Sequence, residues 1–229
     1  MTKTEQLDNL FLTWEKEGFD VFCKDGVVDE KKYKKILFVL KDVNNSKPDV
    51  DVDLRKNLVT LEGEGKTWFN VARWTNSLLR GELIENMTAT MQHKILRNVA
   101  VMNLKKEAGG ARVSDDCIRE HSKKYCDNIR KEIAICDPNV IIACGNIVYD
   151  CLKEVVFNEE SSKINCKVCF NEKMQTYGDG FGVENISGKN KTIYVIHYRH
   201  PNQATKQGTL KEHHENFVKI KNALVTWKK

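Results

Sequence analysis

The stretch Ile36-Leu37-Phe38-Val39-Leu40-Lys41-Asp42-Val43-Asn44-Asn45 decides how the chain folds. Its first half is a continuous apolar run too short for a helix, and its second half turns polar. That is the pattern of a strand buried on both faces that opens into a cleft. Such a strand belongs inside a parallel sheet covered by helices, and it carries Asp42 to the carboxyl edge where ligands of these sheets bind.

Working outward, other apolar runs repeat the pattern. Val99-Ala100-Val101-Met102 ends at Asn103 before a Lys-Lys-Glu-Ala-Gly-Gly turn, Val140-Ile141-Ile142-Ala143-Cys144 turns at Gly145, and Ile193-Tyr194-Val195-Ile196 runs into His197-Tyr198-Arg199-His200-Pro201. The segments between them have helical spacing. Leu7, Leu10, Phe11 and Trp14 predict a first helix with a stop at Gly18. Thr67 is read as the cap of a helix carrying Phe69, Val71, Ala72, Trp74, Leu78 and Leu79 to Gly81. The longest helix is expected from Ser114 through Ile118, Tyr125, Ile129 and Ile133 to Asp137-Pro138, and a last one carries Leu210, Phe217, Ile220 and Leu224. Pro48 and the Asp-rich segment after it mark a loop, and residues 157–190 read as loops with a hairpin near Val168 and Met174. Strands alternating with helices predict an α/β fold: a three-layer sandwich with a central, mainly parallel four-stranded sheet, in a single domain spanning 1–229.

With 41% hydrophobic and 30% charged residues, the composition is that of an ordinary globular domain, and no apolar run reaches the length of a membrane span. The first residues lack the apolar core of a signal peptide, so a cytoplasmic protein with reduced thiols is expected. A net charge of +5 is compatible with a polyanionic partner without requiring one. Cys166 and Cys169 form a CxxC with no second pair or nearby His, half of a zinc site, so no metal is expected. No GxGxxG follows the first strand, no Walker sequence is present, and there is no GxSxG elbow, which argues against dinucleotide, nucleoside triphosphate and serine hydrolase chemistry. Asp42, Asn103, Gly145 and His200 all fall at or just past strand carboxyl ends. An acid, an amide, a turn residue and an imidazole from distant parts of the chain therefore share one edge. Singly each has a structural reading: Asp42 capping a turn, Asn103 closing a strand, His200 in a loop.

These residues resemble the uracil-DNA glycosylase superfamily. The likeness is carried in order by Ile36-Leu37-Phe38-Val39 with its acidic turn, Val101-Met102-Asn103-Leu104-Lys105-Lys106, Pro138-Asn139-Val140-Ile141-Ile142-Ala143-Cys144-Gly145, and Val195-Ile196-His197-Tyr198-Arg199-His200-Pro201-Asn202. The resemblance implies a uracil-DNA-glycosylase-like fold and a base-excision repair hydrolase, which flips uracil or a related deaminated base out of DNA and hydrolyses its N-glycosidic bond. Asp42 matches the acid that orients water and stabilises positive charge on the sugar, and His200 the imidazole that donates to the departing base. Asn103 matches the amide that reads the pyrimidine edge. Phe69 (or Trp68), Lys41 and Asn44 are the remaining substrate-binding candidates, and Lys105, Lys106, Asn202, Gln203 and Lys206 are the candidates for contacting DNA. The expected partner is DNA, single- or double-stranded, bound by a monomer without a cofactor or a membrane.

The chain departs from the family at several positions. Leu40-Lys41-Asp42-Val43-Asn44 stands where members carry Gly and then Pro or Tyr, and Asn202 replaces the commoner Ser. Glu107 lies near where the iron–sulfur branch has a cysteine, so no cluster is expected. Two readings follow: an active glycosylase, or a non-catalytic nucleic-acid-binding relative that retains the fold.

Overall fold

The computed structural model of the protein describes residues 1–15, 22–44, 52–60, 65–109, 113–157, 167–171, 183–186, 192–202 and 209–227. In chain order, α1 (Lys3–Glu15) precedes two short strands, β1 (Cys23–Lys24) and β2 (Gly26–Val27), and then the long strand β3 (Ile36–Asn44). The strand β4 (Val52–Asp53) and the helices α2 (Leu54–Asn57), α3 (Lys66–Arg80) and α4 (Ala89–Leu96) lead to β5 (Ala100–Gly109). Next come α5 (Asp115–Lys124), α6 (Cys126–Cys136), β6 (Val140–Cys144), α7 (Asn146–Cys151) and a π-helical turn (Leu152–Val156). The strands β7 (Lys167–Asn171), β8 (Val183–Ile186) and β9 (Thr192–Tyr198) and the helix α8 (Leu210–Trp227) follow.

Two of these strands, β1 and β4, pair in a separate two-stranded sheet, and the other seven form one sheet in the order β2-β5-β3-β6-β9-β7-β8. Its inner strands run parallel, while β2 and β8 pair antiparallel at the two edges. The expected four strands are β5, β3, β6 and β9, so the count of four is corrected to seven. The added strands left weaker signals: β2 is two residues long, and β7 and β8 mix apolar residues with Lys167, Asn171, Glu184 and Asn185. The expected hairpin is realised at Val168, which pairs with Ile186, whereas Met174 lies outside the described residues.

Alternation along the strands divides the core into two layers. Leu37, Val39, Ala100, Met102, Leu104, Ile141, Ala143 and Val195 face α1, α5, α6 and α7. Phe38, Leu40, Val101, Ile142, Ile196 and Tyr198 face α2, α3, α4 and α8. A sheet with helices on both faces is the three-layer arrangement, and it explains why β3 and β6 read as unbroken apolar runs: both of their faces are dry. Among the described residues, no helix is long and apolar enough to cross a membrane.

The long helix expected after Ser114 is two helices. Tyr125 (φ −107°, ψ 22°) leaves helical geometry between α5 and α6, and its ring lies 5.6 Å from Trp14 and 4.5 Å from His121. The break turns the aromatic ring into the layer under α1, a packing demand that periodicity cannot report. The longest described helix is α8, with 18 residues. At α3 the cap is Gly65 rather than Thr67, and Gly81 ends the helix in the left-handed region (φ 78°) as its position predicts.

Candidate active site at the carboxyl edge

Since β3, β6 and β9 are parallel neighbours, the residues that follow their apolar runs emerge along one edge. Asp42 lies near the end of β3 opposite Lys105 of β5, just before the register shifts between Asp42 and Asn44. His200 lies two residues beyond β9, across β6 from Asp42. Gly145, which follows β6, donates its N–H to the Tyr198 carbonyl at 2.7 Å and ties the ends of β6 and β9 together. Its φ of 112° is open to glycine and strained for any residue with a Cβ, although a Cβ there would meet no atom within 4 Å.

Burial governs the charge state of both candidate catalytic groups. Asp42 is half-buried, and desolvation raises its pKa above the ordinary carboxylate value against the opposing pull of Lys41 and Lys105. His200 is also half-buried, and desolvation lowers its pKa, with the Lys41 charge acting in the same direction. The imidazole is therefore neutral at physiological pH. The Asn202 backbone N–H donates to His200 Nδ1 at 3.2 Å, which makes Nδ1 the acceptor and leaves the ring proton on Nε2. The edge thus pairs a carboxylate with a neutral N–H donor, the two groups needed to stabilise positive charge on one fragment and negative charge on the other as a bond breaks.

Residues that sequence reading passed over hold the His200 loop. Asn70 of α3, 1% exposed, donates its Nδ2–H to the Pro201 carbonyl at 2.8 Å. One turn further along α3, Trp74 packs edge-on to Tyr198 at 4.9 Å and stacks with Phe217 at 5.2 Å. The Tyr198 hydroxyl, its pKa pushed up to about 12 by burial, is 2.7 Å from His213 Nδ1 of α8. These contacts lock the end of β9 between α3 and α8. Nothing in local sequence marks Asn70, since a polar residue on an amphipathic helix ordinarily faces water.

The remaining predicted residues are distributed unevenly. Phe69 is half-buried on α3 next to Asn70, with the Arg73 guanidinium 6.0 Å from its ring centroid, while Trp68 packs against the apolar layer. Lys41 points away from the Asp42 face: its Nζ donates to the Val113 carbonyl at 2.6 Å and pairs with Asp115 at 2.8 Å. Asn44 ends β3 opposite Gly109. Asn103 is 3% exposed, and both its backbone N–H (2.7 Å) and its Nδ2–H (3.2 Å) go to one carboxylate oxygen of Asp25. One of the two Nδ2–H donors of its amide is thereby committed to Asp25.

Two of the lysines expected to contact DNA require correction. Lys105 is 7% exposed, donates to the Glu107 carbonyl at 2.8 Å and pairs with its carboxylate at 3.3 Å, so it forms part of the wall rather than an outward cation. Lys106 is fully buried between Asp25 and Glu132, the latter at 2.8 Å, and cannot meet a phosphate. Alternation places Lys106 in the layer under α1, and Asp25 beside β2 draws it inward. Asn202 is exposed and uses its backbone N–H on His200, while Gln203 and Lys206 lie outside the described residues. Cys169 is on β7 and Cys166 is outside the described residues, among which no group of three possible metal ligands occurs.

No family model matches this chain, and no curated protein matches it.

Proposed function

We propose that the chain is a DNA base-excision glycosylase of the uracil-DNA-glycosylase-like fold, acting on uracil or a related deaminated base, with Asp42 and His200 as its catalytic pair. The observation that carries this reading is the Asn202 backbone N–H donating to His200 Nδ1, which assigns Nε2 as the donor, on the same sheet edge as the half-buried Asp42. When a glycosidic bond breaks, the sugar gains oxocarbenium character and the departing base gains negative charge on its carbonyl oxygens. Asp42 stabilises the former and orients the attacking water, and His200 donates Nε2–H to the latter. Phe69 offers a face for the flipped base to stack on.

A second reading, a nucleic-acid-binding relative without catalysis, is favoured by a specific feature: the amide expected to read the base is held by Asp25. A panel of single- and double-stranded oligonucleotides carrying uracil, hypoxanthine and other modified bases separates the two. Release of any free base supports the glycosylase, whereas binding without release across the whole panel supports the relative.

Chemistry that needs ionised Asp42 and neutral His200 is lost as pH falls through either group, so the rate has an acid limb and a plateau above it. Lys41 lowers the pKa of both groups, and its removal raises both. The profile of Lys41→Met should therefore have its acid limb displaced to higher pH, and an unmoved limb would sever Lys41 from the site.

A further inference from the structure

At the opposite edge of the sheet, where the amino ends of β3 and β5 lie, there is a cavity of about 290 Å³ lined by Lys32, Val59, Thr90, His93, Lys94 and Arg97. Among the described residues, no acidic side chain lines it. Arg97 is loosely paired with Asp29, at 3.9 Å. The last turn of α4 accounts for part of this charge, since cations complement a helix carboxyl end. It does not account for Lys32, which reaches the same cavity from the turn before β3.

His93 supplies an independent observation. It is 7% exposed and lines the cavity, and its Nδ1 lies 2.9 Å from the Leu58 carbonyl. A carbonyl can only accept, so Nδ1 carries a proton, and Nε2 is buried with no hydrogen-bond partner among the described residues. Buried polar atoms are nearly always paired, and one left unpaired beside a basic cavity points to a group that completes it. Lysine, arginine and a threonine hydroxyl are donors only or can serve as donors, which suits an oxyanion. Nε2 suits an oxyanion that also bears a hydroxyl. Hydrogen phosphate and phosphomonoester monoanions carry both P–O for the cations and P–OH for Nε2.

We propose that this cavity binds a phosphomonoester or inorganic phosphate through Lys32, Thr90, His93, Lys94 and Arg97. The volume is at the lower limit of small-ligand sites, roughly 300–1,000 Å³, so the phosphate is bound with little more than the sugar that bears it. The site is separate from the carboxyl edge and does not depend on the glycosylase reading.

The test is calorimetric titration of the full chain with inorganic phosphate at constant ionic strength, followed in parallel by the ring-proton resonance of His93, assigned through its loss in His93→Asn. Saturable binding that shifts this resonance is expected. Lys32→Ala/Lys94→Ala, with both positions exposed and the fold undisturbed, should weaken binding by at least about tenfold. Absence of saturation, or equal binding by the double variant, overturns the proposal. Competition identifies the source: displacement by a mononucleotide marks a free phosphomonoester, and displacement by a 5′-phosphorylated oligonucleotide alone marks a DNA end. A 5′-hydroxyl oligonucleotide that competes as well as its phosphorylated form would overturn the monoester assignment. Asp42→Asn should bind phosphate like the unmutated chain, so that loss of base release and loss of phosphate binding are read separately.

Discussion

Lys106→Ala is expected to cost about 3–5 kcal/mol of folding stability, because it strips the paired ammonium from two buried carboxyl groups. Burial acts against the Lys106 ammonium, but Asp25 and Glu132 outweigh it and hold its pKa above the ordinary lysine value. Glu132 is displaced upward, first by desolvation and then by the neighbouring Asp25 charge. The Lys106 ammonium also lies 5.7 Å from the Phe11 ring centroid and 5.6 Å from that of Trp14, so the same substitution removes packing under α1. Denaturant unfolding gives the magnitude, and pH gives the mechanism. A carboxyl whose folded-state pKa is raised contributes stability below its unfolded value and loses it as pH rises through the folded one. The deficit of Lys106→Ala should accordingly shrink toward acidic pH, where Glu132 is neutral. Replacing the whole cluster, Asp25→Asn/Lys106→Met/Glu132→Gln, should recover much of the loss. A deficit below about 1 kcal/mol, within the range of a surface pair, would mean that Lys106 reaches water.

His200→Ala and Asp42→Asn should each lower single-turnover base release by about a hundredfold or more, the usual effect of removing one preorganised donor or charge, on whichever substrate the oligonucleotide panel identifies. Both groups act on charge that exists only as the glycosidic bond breaks, so DNA affinity should be nearly unchanged while the chemical step slows. His200→Ala also leaves Asn70 and its bond to the Pro201 carbonyl in place, so the loop and its neighbours should persist. His200→Gln is the informative companion: its amide can donate where Nε2–H does, and partial recovery would assign the effect to hydrogen bonding rather than to loop collapse. Base release that survives both His200→Ala and Asp42→Asn would remove these residues from the mechanism while leaving the fold untouched.

The strands β3, β5, β6 and β9 were legible because each is an apolar run bounded by polar turns, and burial on both faces writes itself into consecutive residues. The common edge of Asp42 and His200 followed from that, since parallel strands must end on the same side. The edge strands β2 and β8 were not legible: a short or polar edge strand takes its conformation from the neighbour it pairs with, and its own residues need not announce it. The break at Tyr125 was hidden for a related reason, because apolar residues on either side keep helical spacing while the ring turns toward Trp14.

By itself, the sequence determined the alternation of strands and helices, the parallel core and the edge to which Asp42 and His200 come, all of which depend on patterns within about ten to fifteen neighbouring residues. The tertiary structure alone decided which polar groups on that scaffold are available. Asn103 and Lys106 lie within a few residues of each other on β5, and both are engaged by Asp25, some eighty positions earlier in the chain. A lysine has the same letter whether it faces a phosphate in water or a carboxylate in the core. What separates the two cases is the desolvation cost and the partner that offsets it, and that partner is supplied by contacts between residues far apart in sequence.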